Sequence, residues 1–146
     1  MTETAHERIR VDAPADRCWD VAVDFESYPE WADVKEARIL EADPEGRGKR
    51  VEYRVAALGK SVRYVLEYDY AEAPTSFSWK LVEGDLVRRL DGTYRFEPEG
   101  ASSTRVHYDL AVDLAVPLPG LVKRRAAGMI MGNALKELKK QVEAVA

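Results

Sequence analysis

The sequence contains few of the residues that build metal centres and disulfide bonds. It has a single cysteine, Cys18, and only two histidines, His6 and His107. One cysteine cannot form a disulfide bond within the chain, and this usage is typical of a reducing compartment. These side chains are also too few for a zinc site unless carboxylates complete it. We therefore expect a cytoplasmic protein with no metal site and no cofactor.

The chain also lacks a long apolar run and an excess of basic residues. Near the C-terminus, the longest uncharged stretch, Ala126–Leu135, is about half of the roughly 18 residues that a membrane span needs. The polar N-terminus has no apolar signal-peptide region. Lysine and arginine number 22 against 26 aspartate and glutamate, which gives a net charge of −4. We expect no stable membrane insertion and no nucleic-acid partner, because a nucleic-acid-binding domain usually carries a broad basic surface.

The composition is that of a folded globular domain. Of the 146 residues, 46% are hydrophobic and 33% are charged, which is enough apolar surface for one core. The sequence has no internal repeat and no linker-like tract. We expect residues 1–146 to form a single domain that is a monomer or a weak homodimer.

Alternation of apolar and polar residues predicts most of the secondary structure as consecutive β-strands. The alternation occurs at 7–12, 50–57, 62–70, 77–81, 86–96 and 105–114. Each predicted strand has one apolar face, which is typical of an antiparallel sheet with one covered face and one solvated face. The Leu58–Lys60 segment, with glycine at its centre, predicts a hairpin.

Helical patterns flank these strands. Asp12 is placed to cap a short helix that contains Cys18 and Trp19, with Pro14 at its start. Phe25–Trp31 predicts a second helical turn, broken near Pro29. From 121 to 145 the apolar residues follow a helical period. The predicted fold is α+β, with about six to seven antiparallel strands curved around a long C-terminal helix and two short helices after the first strand.

The covered face of the predicted sheet carries an unusual number of tyrosines. A dry core rarely contains so many, because each buried hydroxyl needs a hydrogen-bond partner. An apolar wall with a few polar groups is instead typical of a ligand pocket. Alternatively, several tyrosines lie at the ends of the sheet with their hydroxyls in water. We predict an enclosed apolar space between the sheet and the C-terminal helix, lined by Trp31, Tyr53, Tyr64, Leu66, Tyr68, Trp79, Leu90, Tyr94, Tyr108, Leu110, Ala127 and Met131.

The N-terminal third carries two segments that resemble a known superfamily. Ile9–Pro14 with Cys18–Val21, and then Asp24–Trp31, are similar to the opening of START-like (Bet v 1-like, SRPBCC) proteins, in the polyketide cyclase/dehydrase and coenzyme Q-binding branch. The resemblance extends to the order of elements along nearly the whole chain. It implies a helix-grip fold whose interior binds lipids, polyketides, quinones or similar hydrophobic molecules.

Three functions follow, and we expect the first. It is the carriage or sensing of a hydrophobic small molecule, without a catalytic residue. The second is a polyketide aromatase/cyclase or dehydrase. The resemblance to the aromatase/cyclases of this superfamily implies an inward arginine on the strand after the first long hairpin. In this chain, Arg63 alternates to the outer face. His107 also alternates outward, which predicts a solvated histidine. The third is a protein that associates with ribosomes or with the respiratory chain.

Overall fold

In the residues that the structure describes, seven strands form one antiparallel sheet. The computed structural model describes residues 3–57, 60–115 and 119–144, and their side chains except at 57, 60, 120–124 and 126–132. The strands are β1 (Glu3–Val11), β2 (Glu36–Ala42), β3 (Gly48–Ala57), β4 (Lys60–Asp69), β5 (Ser76–Gly84), β6 (Val87–Pro98) and β7 (Thr104–Leu114). Their order in the sheet is β1-β7-β6-β5-β4-β3-β2. Consecutive strands are therefore neighbours from β2 to β7, and β1 adds to the edge formed by β7.

The helices lie where the periodicity predicts them. α1 spans Ala15–Ala22, a 3₁₀ helix spans Phe25–Glu30, and α2 spans Gly120–Ala144. With 25 residues, α2 is about 37 Å long. It packs against β1, β7 and α1. These elements form an α+β fold, as predicted. It consists of a curved antiparallel sheet, a long C-terminal helix and two short helices after the first strand.

The start of α1 differs from the predicted cap. Pro14, not Asp12, precedes the first helical residue, and no side chain caps the helix there. The backbone N–H of Asp12 instead donates to the carboxylate of Glu143 in α2, at 2.8 Å. Asp12 therefore contacts α2 through its backbone and does not cap α1 through its side chain.

The C-terminal half of α2 is fixed to the edge of the sheet. Leu135, Leu138 and Val142 are buried in the core. On the same half, Lys139 Nζ donates to the backbone carbonyl of Arg10 at 3.0 Å and contacts Glu143 at 2.6 Å. Apolar burial and these polar contacts hold α2 against β1 and the segment that enters α1.

β2 is the strand that the alternation pattern missed. Ala37 and Ile39 face the core, but register shifts on either side of Glu41 interrupt its pairing with β3. β5 also extends through Gly84, beyond the predicted alternation at 77–81, and the chain reverses at Asp85 and Leu86 before β6. Most of the predicted Leu58–Lys60 hairpin lies outside the described residues.

Candidate functional site

A layer of aromatic side chains lines the inner face of the sheet. Strand register places Tyr53 opposite Tyr64, Tyr68 opposite Trp79, and Tyr94 opposite Tyr108. Each residue of these pairs points to the same face because side chains alternate along a strand. The ring centroids of neighbouring members lie 4.7–6.0 Å apart. All of these residues except the half-buried Tyr64 are at most 8% exposed.

Four tyrosines around this layer have hydrogen-bonded hydroxyls. The hydroxyls of Tyr53 and Tyr68 bond to each other at 2.7 Å. The hydroxyl of Tyr70 donates to the carbonyl of Gly48 at 2.6 Å, and that of Tyr28 donates to the carbonyl of Ala22. Their polar atoms are paired within the protein, so these rings present mainly apolar surface.

The hydroxyls of Tyr64, Tyr94 and Tyr108 differ from those four. In the described parts of the chain, none of these three oxygens has a hydrogen-bond partner, and none is among the completely enclosed polar atoms that lack one. Each oxygen therefore borders accessible space. Burial raises the pKa of all three phenols above its ordinary value, so they are uncharged at neutral pH. An uncharged phenol both donates and accepts hydrogen bonds.

Gly92 allows Trp79 to lie close to the sheet backbone. A Cβ atom at this position of β6 would lie 2.3 Å from Cζ2 of Trp79 and 2.7 Å from the backbone carbonyl oxygen of Asp109. Neither distance is compatible with a side chain. The absence of a side chain at Gly92 thus positions the indole between Tyr68 on one side and Tyr94 and Tyr108 on the other.

A second aromatic group closes the end of the interior next to α1. Phe25, Phe77 and Phe96 are essentially inaccessible. Trp19 of α1 packs edge-on against Phe77 and Phe96, with centroids at 5.4 and 5.9 Å. These residues form a packed core, so the unpaired phenols are separated from α1 by apolar rings.

The other predicted lining residues occupy several places. Leu66 and Leu110 are buried on the inner face, and Leu90 is half-buried against the core. Trp31 lies at the end of the 3₁₀ helix and contacts Tyr28 at 4.9 Å. The side chains of Ala127 and Met131 lie outside the described residues, and their role stays a prediction.

Tyr28 is a residue of this region that the prediction left out. Its ring contacts Trp31 and Tyr53, at centroid distances of 4.9 and 6.1 Å. The 3₁₀ helix therefore brings an aromatic side chain to the β3 side of the layer. The signal that could have identified Tyr28 is the Asp24–Trp31 segment. The prediction selected Trp31 from this segment and omitted Tyr28.

The outer face of the sheet carries the charged residues. Arg63 lies there, as predicted, and contacts Glu52 at 2.5 Å and Glu83 at 3.0 Å. The Arg63 guanidinium holds the pKa of Glu52 below its ordinary value. Arg63 therefore does not supply the inward arginine implied by the resemblance to aromatase/cyclases.

The prediction of a solvated His107 is wrong. This side chain is on the outer face but only 6% exposed. The ring of His6 stacks on the ring of His107 with centroids 5.7 Å apart. Nε2 of His107 lies 3.0 Å from a carboxylate oxygen of Glu97. Neighbouring side chains on β1 and β6 cover a residue that the alternation alone placed in solvent.

A groove of about 580 Å³ opens on the outer face of β1, β7, β6 and β5. Its polar lining includes His6, Asp91 and Asp109, and Gly92 and Leu110 also line it. Trp79 of the inner aromatic layer also lines this groove. Within 3–57, 60–115 and 119–144, no group of histidine, cysteine or acidic residues is arranged to hold a metal ion.

Cys18 is buried beside the sheet. Burial raises the pKa of its thiol, which disfavours the reactive thiolate. For the residues that the structure describes, no helix has the length and apolarity to cross a membrane.

Comparison with known structures identifies the same fold elsewhere. A START superfamily protein from Mycobacterium smegmatis is 26% identical, with 98% of this chain and 99% of that chain covered and a TM-score of 0.91. The ZhuI aromatase/cyclase from Streptomyces sp. R1128 is 18% identical, with 98% and 94% covered and a TM-score of 0.82. Norcoclaurine synthase from Thalictrum flavum, solved with dopamine and hydroxybenzaldehyde, is 16% identical, with 99% and 88% covered and a TM-score of 0.73.

Sequence comparison gives the family. No curated protein matches this sequence. The family model described as "Polyketide cyclase / dehydrase and lipid transport" matches residues 2–143. Together with the structural similarity to a START superfamily protein, this confirms the resemblance noted in the N-terminal segments. The chain belongs to the polyketide cyclase/dehydrase and lipid transport family of the START-like superfamily.

Proposed function

We propose that this protein binds a hydrophobic small molecule between the inner face of the sheet and α2, and that it acts as a carrier or sensor. The observation that supports this is the aromatic layer with three hydroxyls that have no described protein partner. Aromatic walls supply apolar contact, and a few polar groups orient the ligand. Packing alone would favour aliphatic side chains, because they impose no hydrogen-bonding demand.

Tryptophan fluorescence offers a direct test. The chain has three tryptophans, and Trp79 contacts Tyr68, Tyr94 and Tyr108 in the layer. In a Trp19→Phe, Trp31→Phe variant, Trp79 is the only emitter. We expect quinone analogues, flat polyaromatic compounds or fatty acids to change its emission with a saturable dependence on concentration.

The control is the reverse variant, Trp79→Phe, which keeps Trp19 and Trp31. Trp19 packs in the apolar core next to α1, and Trp31 lies at the end of the 3₁₀ helix. We expect a weaker response from this variant. No response from either variant across the whole panel would contradict the binding proposal.

A polyketide cyclase or dehydrase is the second candidate, and the family match favours it. The phenols on the inner face can donate hydrogen bonds to substrate carbonyls. Their raised pKa values disfavour ionisation and hence a role as general bases. An uncharged donor also stabilises an enolate less than a fixed positive charge does. Incubation with a minimal polyketide synthase tests this candidate, and an unchanged product profile would exclude it for that substrate.

A further inference from the structure

Tyr64, Tyr94 and Tyr108 form a polar position within an otherwise apolar wall. The rings of Tyr94 and Tyr108 contact each other edge-on, with centroids 4.7 Å apart. Burial, and then the nearby phenols of Tyr94 and Tyr64, raise the pKa of Tyr108. We call these three residues the phenol triad.

We propose that the phenol triad binds an uncharged acceptor oxygen, such as that of a ketone, on an otherwise apolar ligand. This inference rests on the proposed function, because it requires a ligand between the sheet and α2. It adds the polarity of that ligand and the position of its polar end. The ligand carbonyl accepts hydrogen bonds from the triad, while its apolar body contacts the rings of Trp79, Tyr53 and Tyr68.

The hydrogen bonds of the inner-face phenols indicate that the polar end of the ligand lies at the triad. The hydroxyls of Tyr53 and Tyr68 are bonded to each other, and those of Tyr28 and Tyr70 are bonded to backbone carbonyls. A ligand gains little by approaching these oxygens. At the triad it meets hydroxyls that have no partner among the described residues, and a polar atom of the ligand supplies the hydrogen bond that an apolar group cannot.

The charged residues around the triad favour binding of a neutral oxygen over binding of a carboxylate. On the inner face of β5 to β7, the side chains beside Tyr94 and Tyr108, which include Phe77, Phe96 and Val106, are apolar. The basic residues Lys60 and Arg88, which share the alternation of this face, lie at the start of β4 and of β6. Arg63, Arg89 and Arg95 alternate to the outer face, where Arg63 and Arg89 contact carboxylates. Transfer of a carboxylate to an apolar site is costly without a cation, whereas a ketone needs only the donors present.

The test compares probes that share one apolar body. Fluorenone, fluorene and fluorene carboxylate form one series, and undecanone, undecane and undecanoate form a flexible second series. Isothermal titration calorimetry with the whole protein gives their affinities. We expect the ketone to bind about tenfold more tightly than the hydrocarbon in at least one series, as one or two good hydrogen bonds allow. The carboxylate should be the weakest ligand.

Tyrosine-to-phenylalanine variants remove single hydroxyls and keep the rings. Tyr94→Phe or Tyr108→Phe should lower ketone affinity by about three- to tenfold and leave hydrocarbon affinity nearly unchanged. Tyr70→Phe is the matched control, because its hydroxyl donates to Gly48 outside the triad. It should leave both affinities unchanged. Infrared spectroscopy adds a direct readout, since hydrogen bonds from the triad lower the carbonyl stretching frequency of bound ketone and the variants raise it again.

The outcomes separate this inference from the proposed function. Equal binding of ketone and hydrocarbon, tightest binding of the carboxylate, or a carbonyl frequency unaffected by the variants would overturn the role of the triad and leave hydrophobic binding intact. No binding of any probe in either series would contradict both proposals.

Discussion

At the scale of single residues, the inner face contains phenols in two different environments. Tyr53 and Tyr68 satisfy each other, whereas Tyr94 and Tyr108 have no hydroxyl partner in the described residues. All four are nearly inaccessible. Because burial without a partner costs free energy, the same substitution should have opposite consequences at the two pairs.

The prediction concerns the free energy of unfolding, measured with urea. Tyr53→Phe and Tyr68→Phe should each lower it by about 1–2 kcal/mol, because each leaves the other phenol without its partner. The double variant should lose less than the sum of the single losses, since no orphaned hydroxyl remains.

Tyr94→Phe and Tyr108→Phe are the matched control. Their rings touch, but no hydrogen bond joins their hydroxyls, so we expect additive effects that are neutral or stabilising in the ligand-free protein. Additive losses at Tyr53 and Tyr68 would show that their hydrogen bond contributes nothing to stability.

The difference between these environments was beyond sequence reasoning. Alternation with period two assigns Tyr53, Tyr68, Tyr94 and Tyr108 to one face, and the structure buries all of them. Whether a hydroxyl finds a partner depends on the curvature of the sheet and on side chains brought by other elements. Tyr28, on the 3₁₀ helix, bonds to the backbone carbonyl of Ala22 in α1, a partner that alternation along a strand cannot indicate.

At the scale of elements, a buried hydrogen bond joins β7 to the entry of α1. Thr104 Oγ1 donates to the backbone carbonyl of Ala13 at 2.8 Å, and both residues are buried. Thr104→Val keeps the shape of the side chain but removes the donor. We expect the free energy of unfolding to fall by about 1–3 kcal/mol, because a buried carbonyl loses its hydrogen bond.

Thr93→Val makes the same chemical change on the neighbouring strand β6. Thr93 is only half-buried, on the outer face, and its hydroxyl makes no hydrogen bond to another described residue. It should therefore leave stability nearly unchanged. If the two valine variants denature at the same urea concentration, the contact between Thr104 and Ala13 does not hold α1 to the sheet.

The elements that sequence reasoning missed have physical causes in common. β2 offers only Ala37 and Ile39 to the core before a bulge interrupts its pairing, so its alternation is too short to detect. Asp12 carries a typical capping side chain, but Glu143 binds its backbone N–H. Local rules predict the elements with long, regular patterns and fail where a distant residue satisfies the backbone.

At the scale of the whole molecule, carboxylates paired with basic groups link stability to pH. Hydrogen bonds and nearby positive charge hold the pKa values of Asp43, Glu52, Glu97 and Glu143 below their ordinary range, although desolvation opposes this effect. Lowered values mean that the folded state binds protons less readily than the unfolded state. The stabilisation is therefore complete above the unfolded-state pKa values of about 4 and is lost as pH falls through the lower folded-state values.

Glu52 provides the sharpest test of this linkage. It lies under Arg63 and Arg38 on the outer face with a side chain only 12% exposed. We expect the urea midpoint of unfolding to decrease as the pH is lowered from about 6 to about 3, the range in which carboxylates titrate. Glu52→Gln should make this decrease with pH less steep, because the charge at residue 52 no longer titrates. Glu36→Gln is the control, since Glu36 is 71% exposed and lies 3.7 Å from Arg54. Solvent screens such a pair, so its pH profile should match that of the parent protein. Identical slopes for Glu52→Gln and the parent protein would show that acid acts through other groups.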